Sequence, residues 1–377
     1  MKNVNTRIRI RANKCVNFLC AVGCQIEKKV VFDSFRGKKY SDNPKAISEK
    51  LHDIYPEYKI VWALPSDSKE VAPDYVKIYD AKSFRFRRER ATAFVYVRNE
   101  AFSEDIYKRK GQLFIQTWHG DRGIKKILYD AWENGERPNK VMDEELTDLF
   151  VLGSDYAEKR IKTAFRYTGR IIKTGCPRND CLFNPNKRDE ICAAIGIDTD
   201  KHILLYAPTL RISNKIVQAT VDLHETLRHF EMRGGDWICL VRAHPKSLGI
   251  DIKPDSHIID VSQYPDMADL LMIADALITD YSSCAGDFIL KKKPLLLAQF
   301  DLEQYMKEER TFYVDINKIG YLIAHTQDEL NSYIDNLSDE DFARNCQKVL
   351  DYFGTCETGH AAEDVCRLID DYYPSGH

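Results

Sequence analysis

Several things are scarce or missing in this 377-residue chain, and each absence excludes something. Glycine (18) and proline (13) are sparse, which excludes collagen-like and low-complexity disordered chains. Neither charge sign dominates: 55 Lys and Arg face 58 Asp and Glu, for a net charge of −3. That argues against a globally basic nucleic-acid binder, and no nucleic-acid partner is expected. No apolar run reaches the roughly 18 residues of a membrane span. The eleven cysteines are odd in number, irregularly spaced and without a C-x-x-C pair. A zinc ribbon and a thioredoxin-type motif are therefore excluded, and free thiols in a reducing cytosol are expected.

Catalytic signatures are missing too. There is no G-x-x-x-x-G-K-[ST], G-x-G-x-x-G, H-E-x-x-H or G-x-S-x-G, so P-loop, ordinary dinucleotide, zincin and α/β-hydrolase chemistry lose their usual marks. Two D-x-D triplets, Asp198-Thr199-Asp200 and Asp339-Glu340-Asp341, follow no convincing strand end. No metal site is assigned. The sequence requires no cofactor and is silent on divalent cations.

What is present is an alternation. Short apolar runs (30–32, 60–64, 76–79, 93–97, 113–117, 149–152, 171–173, 203–207, 238–241, 258–261, 276–279, 294–298) read as strands. Several are continuous, as in strands buried on both faces of a parallel sheet. Helical patterns lie between them, at 154–165, 220–232, 266–273, 283–291, 327–336, 339–353 and 360–372. This predicts an α/β protein of two Rossmann-like, doubly wound domains. The expected division is 1–184, a linker at 185–200, and 201–377, with the last helix packing back on the first domain.

The first 29 residues carry seven basic side chains (Lys2, Arg7, Arg9, Arg11, Lys14, Lys28, Lys29) against one acid, Glu27. A basic, partly apolar helix here suits an anionic membrane surface, although a solvated helix with one packed face fits as well.

Four strand-to-loop junctions concentrate polar groups. Gln116 to Lys126 joins His119 to Gly120, Arg122 and two lysines, so a backbone that phosphate can approach lies beside a candidate base. Gly175 to Asp180 presents Arg178, whose guanidinium can fork onto a phosphate. Ala207-Pro208-Thr209-Leu210-Arg211 and Arg242-Ala243-His244-Pro245-Lys246 both follow buried-strand patterns. They belong at carboxyl strand ends, where open α/β sheets bind ligands. Thr279 to Phe288 ends a strand and sets Ser282 and Ser283 before a helix, a place for an anion, with Asp287 in the first turn.

In this order, with Ser34 to Lys45 before them and Asp301 to Tyr305 after, these segments resemble the CDP-glycerol glycerophosphotransferase family, the teichoic-acid primases and polymerases with their CDP-ribitol-using relatives. The resemblance implies a GT-B fold, two Rossmann-like domains facing a central cleft with the donor held mainly by the second. It implies transfer of glycerol phosphate or ribitol phosphate from a CDP-polyol to a lipid-linked saccharide or polyol-phosphate acceptor, with release of CMP. The protein is then cytoplasmic, peripherally associated with the inner face of the membrane. His119 and His244 are implied as the catalytic residues, His119 as general base and His244 binding or polarising the transferred phosphate. Arg178, Arg242, Ser282 and Ser283 are implied at the pyrophosphate, Thr209 and Arg211 along the same cleft, Asp287 near the polyol hydroxyls, and Gly120 and Pro208 among the donor-binding residues. The alternative is a nucleotide-sugar glycosyltransferase of the same fold, releasing a nucleoside diphosphate. The chain departs from the family pattern after His119-Gly120. Asp121-Arg122-Gly123-Ile124 stands where Thr-Pro-Leu is usual. Asp121 either points away from the phosphate or belongs with a different acceptor.

Overall fold

Two parallel sheets organise the chain. A computed structural model describes residues 4–65, 67, 72–134, 141–184, 186–209, 221–243, 254–309 and 311–373. By its internal contacts the chain divides into two units. The first is Met1–Asp121, Leu128–Asp180 and Cys356–His377; the second is Arg122–Ile127 and Cys181–Thr355.

The first unit carries β1 (Glu27–Asp33), β2 (Lys59–Ala63), β3 (Lys77–Tyr79), β4 (Ala93–Arg98), β5 (Leu113–Gln116), β6 (Leu149–Val151) and β7 (Arg170–Ile172), in the order β3-β2-β1-β4-β5-β6-β7. The second carries β8 (His202–Ala207), β9 (Trp237–Val241), β10 (Ile258–Asp260), β11 (Ala276–Thr279), β12 (Leu295–Ala298) and β13 (Ile323–Ala324), in the order β10-β9-β8-β11-β12-β13. Both follow the doubly wound order in which the first strand of the unit lies beside the fourth, and ligands gather at that reversal. Every pairing between these strands is parallel; Val31 lies opposite Val61 on one side and Tyr96 on the other.

The continuous apolar runs are buried on both faces. On β1, Val30 and Phe32 join one core with Ile60, Trp62 and Ile369, while Val31 joins the opposite one with Val61, Tyr96 and Phe114. In the second unit Leu204, Tyr206, Cys239, Ile278 and Leu296 share a core with Phe230 and Phe342. Each such side chain contributes about 1.5–3 kcal/mol on leaving water, so these strands anchor the loops at their ends. All eleven cysteines are free thiols.

All twelve expected strands appear; β13 is additional and only two residues long. The helices are less completely anticipated. Asp42–Ile54 and Phe84–Thr92 are helices that the pattern did not announce. Pro44 sits in the first turn of the former, where its missing N–H costs no helical bond. The stretch 185–200, expected as a linker, falls in the second unit and contains the helix Arg188–Ile195, which buries Ile191 and Cys192. The helix Ala361–Tyr372 belongs to the first unit, where Tyr58 Oη donates to Asp370 at 2.9 Å. The Asp339-Glu340-Asp341 triplet opens a helix, and Asp341 closes a capping box with Ser338. Among the described residues no helix is long and apolar enough to cross a membrane, and no three His, Cys, Asp or Glu side chains group as metal ligands.

Candidate functional site

In the first unit the site builds around the end of β5. The chain leaves the strand through Gln116 and Thr117, both buried, and turns at Trp118, whose φ of +50° lies in the left-handed region. That conformation is unfavourable for a bulky residue and persists only where the surroundings enforce it. Here both ends of Trp118 are held. Its N–H donates to Gln116 Oε1 at 2.9 Å, and its carbonyl accepts from Asn43 Nδ2 at 3.0 Å. Gln116 is steadied by donating to Asp143 Oδ1 at 2.7 Å. Burial pushes the Asp143 carboxyl up to about 6.

His119 follows, half-buried. Its ring lies 4.1 Å from that of Trp118 and 5.3 Å from that of Phe35, centroid to centroid. Nδ1 lies 2.7 Å from the carbonyl oxygen of Asn99, just past β4. A carbonyl only accepts, so Nδ1 carries the proton and Nε2 of the neutral ring keeps its lone pair. The Asn99 side chain binds the loop after β1 by accepting from Phe35 N at 2.9 Å and donating to Ser34 Oγ at 3.1 Å. In that loop Gly37, at φ +71°, donates to Asp33 Oδ1 at 2.6 Å, and a Cβ on it would meet Ala81 Cβ at 2.7 Å.

Asp121 turns onto the residues that follow β6. Its carboxylate accepts from Gly153 N at 2.7 Å and Ser154 Oγ at 2.6 Å, and it is buried. Arg160 Nη2 supports the same turn from behind, donating to the carbonyls of Gly120 and Asp121. Arg178 is also buried, with Nη1 3.1 Å from Asp42 Oδ2. Its backbone N–H donates to Asn43 Oδ1 at 3.0 Å.

In the second unit the corresponding strand ends are those of β8, β9 and β11. Asp280 Oδ1 accepts from Thr209 N at 2.9 Å and Tyr281 N at 2.5 Å, joining the loops after β8 and β11. Tyr281 donates to Asp301 Oδ1 at 3.0 Å and stacks on Tyr305 at 3.7 Å. Ser282 and Ser283 are half-buried. Ser283 makes no side-chain cap, while Ser282 Oγ accepts from Cys284 N at 3.4 Å. Arg242, at the end of β9, has a buried Nη1 without a hydrogen-bond partner among the described residues. Burial holds its guanidinium below the usual arginine range, and Asp266 and Asp269 act against that shift. A buried cation with an unmet N–H is stabilised by an incoming anion. Asp287, in contrast, is engaged by Arg122, with Nη2 3.1 Å from its Oδ1. His244 and Arg211 lie outside the described residues.

The arrangement therefore gathers His119 and Gly120 at one strand edge, and Pro208, Thr209, Arg242, Ser282 and Ser283 at another. The model of the CDP-glycerol:poly(glycerophosphate) glycerophosphotransferase family matches residues 18–371. The chain belongs to that family. The family's teichoic acid poly(glycerol phosphate) polymerase of Bacillus subtilis (strain 168) is 29% identical over 382 residues, covering 93% of this chain and 50% of that protein. The chain thus spans about half the length of that polymerase. The teichoic acid glycerol-phosphate transferase of Staphylococcus aureus is 29% identical over 364 residues, covering 90% of this chain and 92% of that one. A solved structure of the wall teichoic acid polymerase TagF, a histidine-to-asparagine variant soaked with CDPG, matches with a TM-score of 0.81 at 26% identity, covering 97% and 95% of the two chains. The fold is GT-B-like, as in TagF.

Sequence reasoning missed Asn43, Asn99, Gln116 and Asp280 as organisers of these loops. Asn43 stands just before Pro44 at a helix start, which is a readable signal; a buried Asn99 after a strand gives none.

Proposed function

We propose that this chain transfers glycerol phosphate or ribitol phosphate from a CDP-polyol to a hydroxyl of a lipid-linked acceptor, releasing CMP. The observation that carries the reading is the 2.7 Å contact of His119 Nδ1 with the Asn99 carbonyl, which leaves Nε2 to take a proton. Nε2 removes the acceptor hydroxyl's proton as its oxygen bonds to the β-phosphorus. The bond from that phosphorus to the bridging oxygen breaks, and CMP leaves with the electron pair. Phosphoryl transfer depends on positioning and charge neutralisation. Arg242 neutralises the pyrophosphate, together with the hydroxyls of Ser282 and Ser283. Thr209 and Arg211 line the donor, and His244 holds the transferred phosphate. Arg178 and Asp287 act through the loops they brace, since each is engaged in an ion pair. Family membership and the TagF structure soaked with CDPG support the donor class.

The Arg242 role makes a specific expectation. Arg242→Gln removes a charge-assisted contact worth about 1.5–3 kcal/mol, so affinity for the CDP-polyol falls by about 10- to 150-fold. Titration calorimetry with CDP-glycerol checks it; affinity within about twofold of wild type contradicts it.

We further propose that the acceptor is met at an anionic membrane surface on the cytoplasmic face. The helix Val4–Leu19 has no acidic residue and exposes Arg7, Arg9, Arg11 and Lys14. Ile8 is 60% and Leu19 64% exposed. Arg87 of the helix Phe84–Thr92 donates to Asn13 and Asn17, leaving Arg85 and Arg88 exposed beside it. Each basic residue near an anionic surface is worth about 1 kcal/mol. Replacing Arg7, Arg9 and Arg11 with Glu is expected to weaken binding to phosphatidylglycerol vesicles by at least about 100-fold. Turnover of a soluble acceptor should be spared. Unchanged vesicle binding in a sedimentation assay removes the membrane role.

The reaction itself is tested by nucleotide release from CDP-glycerol, CDP-ribitol, UDP-glucose and a CDP-sugar. Acceptor-dependent CMP supports phosphotransfer, and the preferred donor names the polyol. Release of CDP or UDP supports the glycosyltransferase alternative.

A further inference from the structure

The segment Ser34 to Lys45 has no role in the reaction as drawn, yet Asn43 within it is 1% exposed and makes a distinctive set of contacts. Its Nδ2 lies 3.0 Å from the Trp118 carbonyl and 3.4 Å from that of Thr117. Its Oδ1 accepts from the Arg178 backbone at 3.0 Å. One amide thus joins two of the junctions singled out in the sequence, and it captures the carbonyl of the residue whose φ is +50°.

Asn43 and Gln116 grip Trp118 from its two ends. The peptide that follows Trp118 carries His119. Were the Trp118 carbonyl released, that residue would relax toward negative φ, the favoured side for a bulky side chain. The 118–119 peptide would rotate, and the imidazole would move off the Asn99 carbonyl 2.7 Å away. The ring contacts with Trp118 and Phe35 would go with it.

We propose that Asn43 is a positioning residue that fixes His119 as the Nδ1-protonated tautomer by holding the Trp118 carbonyl in its left-handed turn. The inference rests on the reading of His119 as the base. Asn43 touches no reacting atom; it determines which ring nitrogen bears the lone pair and where that nitrogen points. The helix Asp42–Ile54, which begins one residue earlier, supplies the rigid mount. Ile47 and Leu51 are fully buried on its inner face.

The test uses Asn43→Asp in the full chain. Aspartate keeps the shape and the acceptor for Arg178 N–H, loses the donor to the two carbonyls, and sets a carboxylate oxygen against them. Ring-nitrogen NMR with isotope-labelled histidine reads the tautomer, with the His119 signal assigned by its loss in His119→Gln. Wild type is expected to show His119 protonated at Nδ1. Asn43→Asp is expected to show a mixture, or Nε2 protonated. Its kcat should fall by about 10²-fold, the scale of a misplaced catalytic group, with the KM for the donor changed less than about twofold. Asn43→Ala, which adds no charge and suits a first helical turn, takes its place if the aspartate variant does not fold. A wild-type tautomer signature in either folded variant overturns the proposal, as does wild-type His119 protonated at Nε2. The tautomer is read without turnover, so a failure of the proposed reaction leaves this result interpretable.

Discussion

His119→Ala is expected to lower turnover by about 10²–10⁴-fold, the range that a positioned general base contributes, with affinity for the CDP-polyol largely retained. The structure gives this expectation its direction. His119 stands at the end of β5 with Nδ1 committed to a carbonyl, so its one available function is at Nε2. Alanine removes that lone pair and leaves the loop's hydrogen bonds, which run through Gln116, Trp118 and Asn43, in place. The loss should therefore appear in kcat rather than in the donor's KM. Steady-state kinetics with a soluble acceptor decides it. Turnover within about threefold of wild type would remove His119 from the role of base.

The second large effect concerns stability. Arg122 is 1% exposed, with Nε donating to the Gly286 carbonyl and Nη2 paired with Asp287 at 3.1 Å. Arg122→Met strips the cation from a buried carboxylate, which costs about 3–5 kcal/mol where a buried pair is broken from one side. Replacing both members, Arg122→Met with Asp287→Leu, removes the two charges together and should restore much of that loss. Urea denaturation of the three chains measures it, with the expected order wild type, double variant, single variant. A loss below about 1 kcal/mol in the single variant would show that the pair does not hold this region. The neighbouring backbone is equally tight, since a Cβ on Gly286 would stand 2.6 Å from Arg122 Cβ.

The same pair explains a departure visible in the sequence. Asp121 and Arg122 replace the usual Thr-Pro after His119-Gly120, and an aspartate beside a phosphate is electrostatically awkward. Asp121 turns back onto Gly153 and Ser154, and Arg122 turns onto Asp287. Both side chains are buried and engaged within the protein.

The strands were legible because short continuous apolar runs such as Ile203–Ala207 and Ala276–Thr279, alternating with helical patterns, suit a parallel sheet covered on both faces. The helix Asp42–Ile54 was not, because its start is written in Asp, Asn and Pro, residues that also make turns. The helix Arg188–Ile195 was hidden by the run of charges Arg188, Asp189 and Glu190 in its first turn. His119 and Arg242 could be placed at strand ends from sequence alone. The bracing network could not: Asn43, Gln116 and Asn99 lie far apart in the chain, and only the register of β4 beside β5 brings two of their loops together. Arg178 and Asp287 were readable as residue types that suit ligand binding, while their countercharges in their own units, Asp42 and Arg122, are revealed by no local pattern.

The central claim is that the β-phosphate moves with the polyol. CDP-glycerol labelled at the β-phosphorus, incubated with the chain and a lipid-linked acceptor, tests this most directly. The account predicts that the label enters the acceptor and that unlabelled CMP is released in equal amount. Label recovered in CDP, with the acceptor unlabelled, would contradict it.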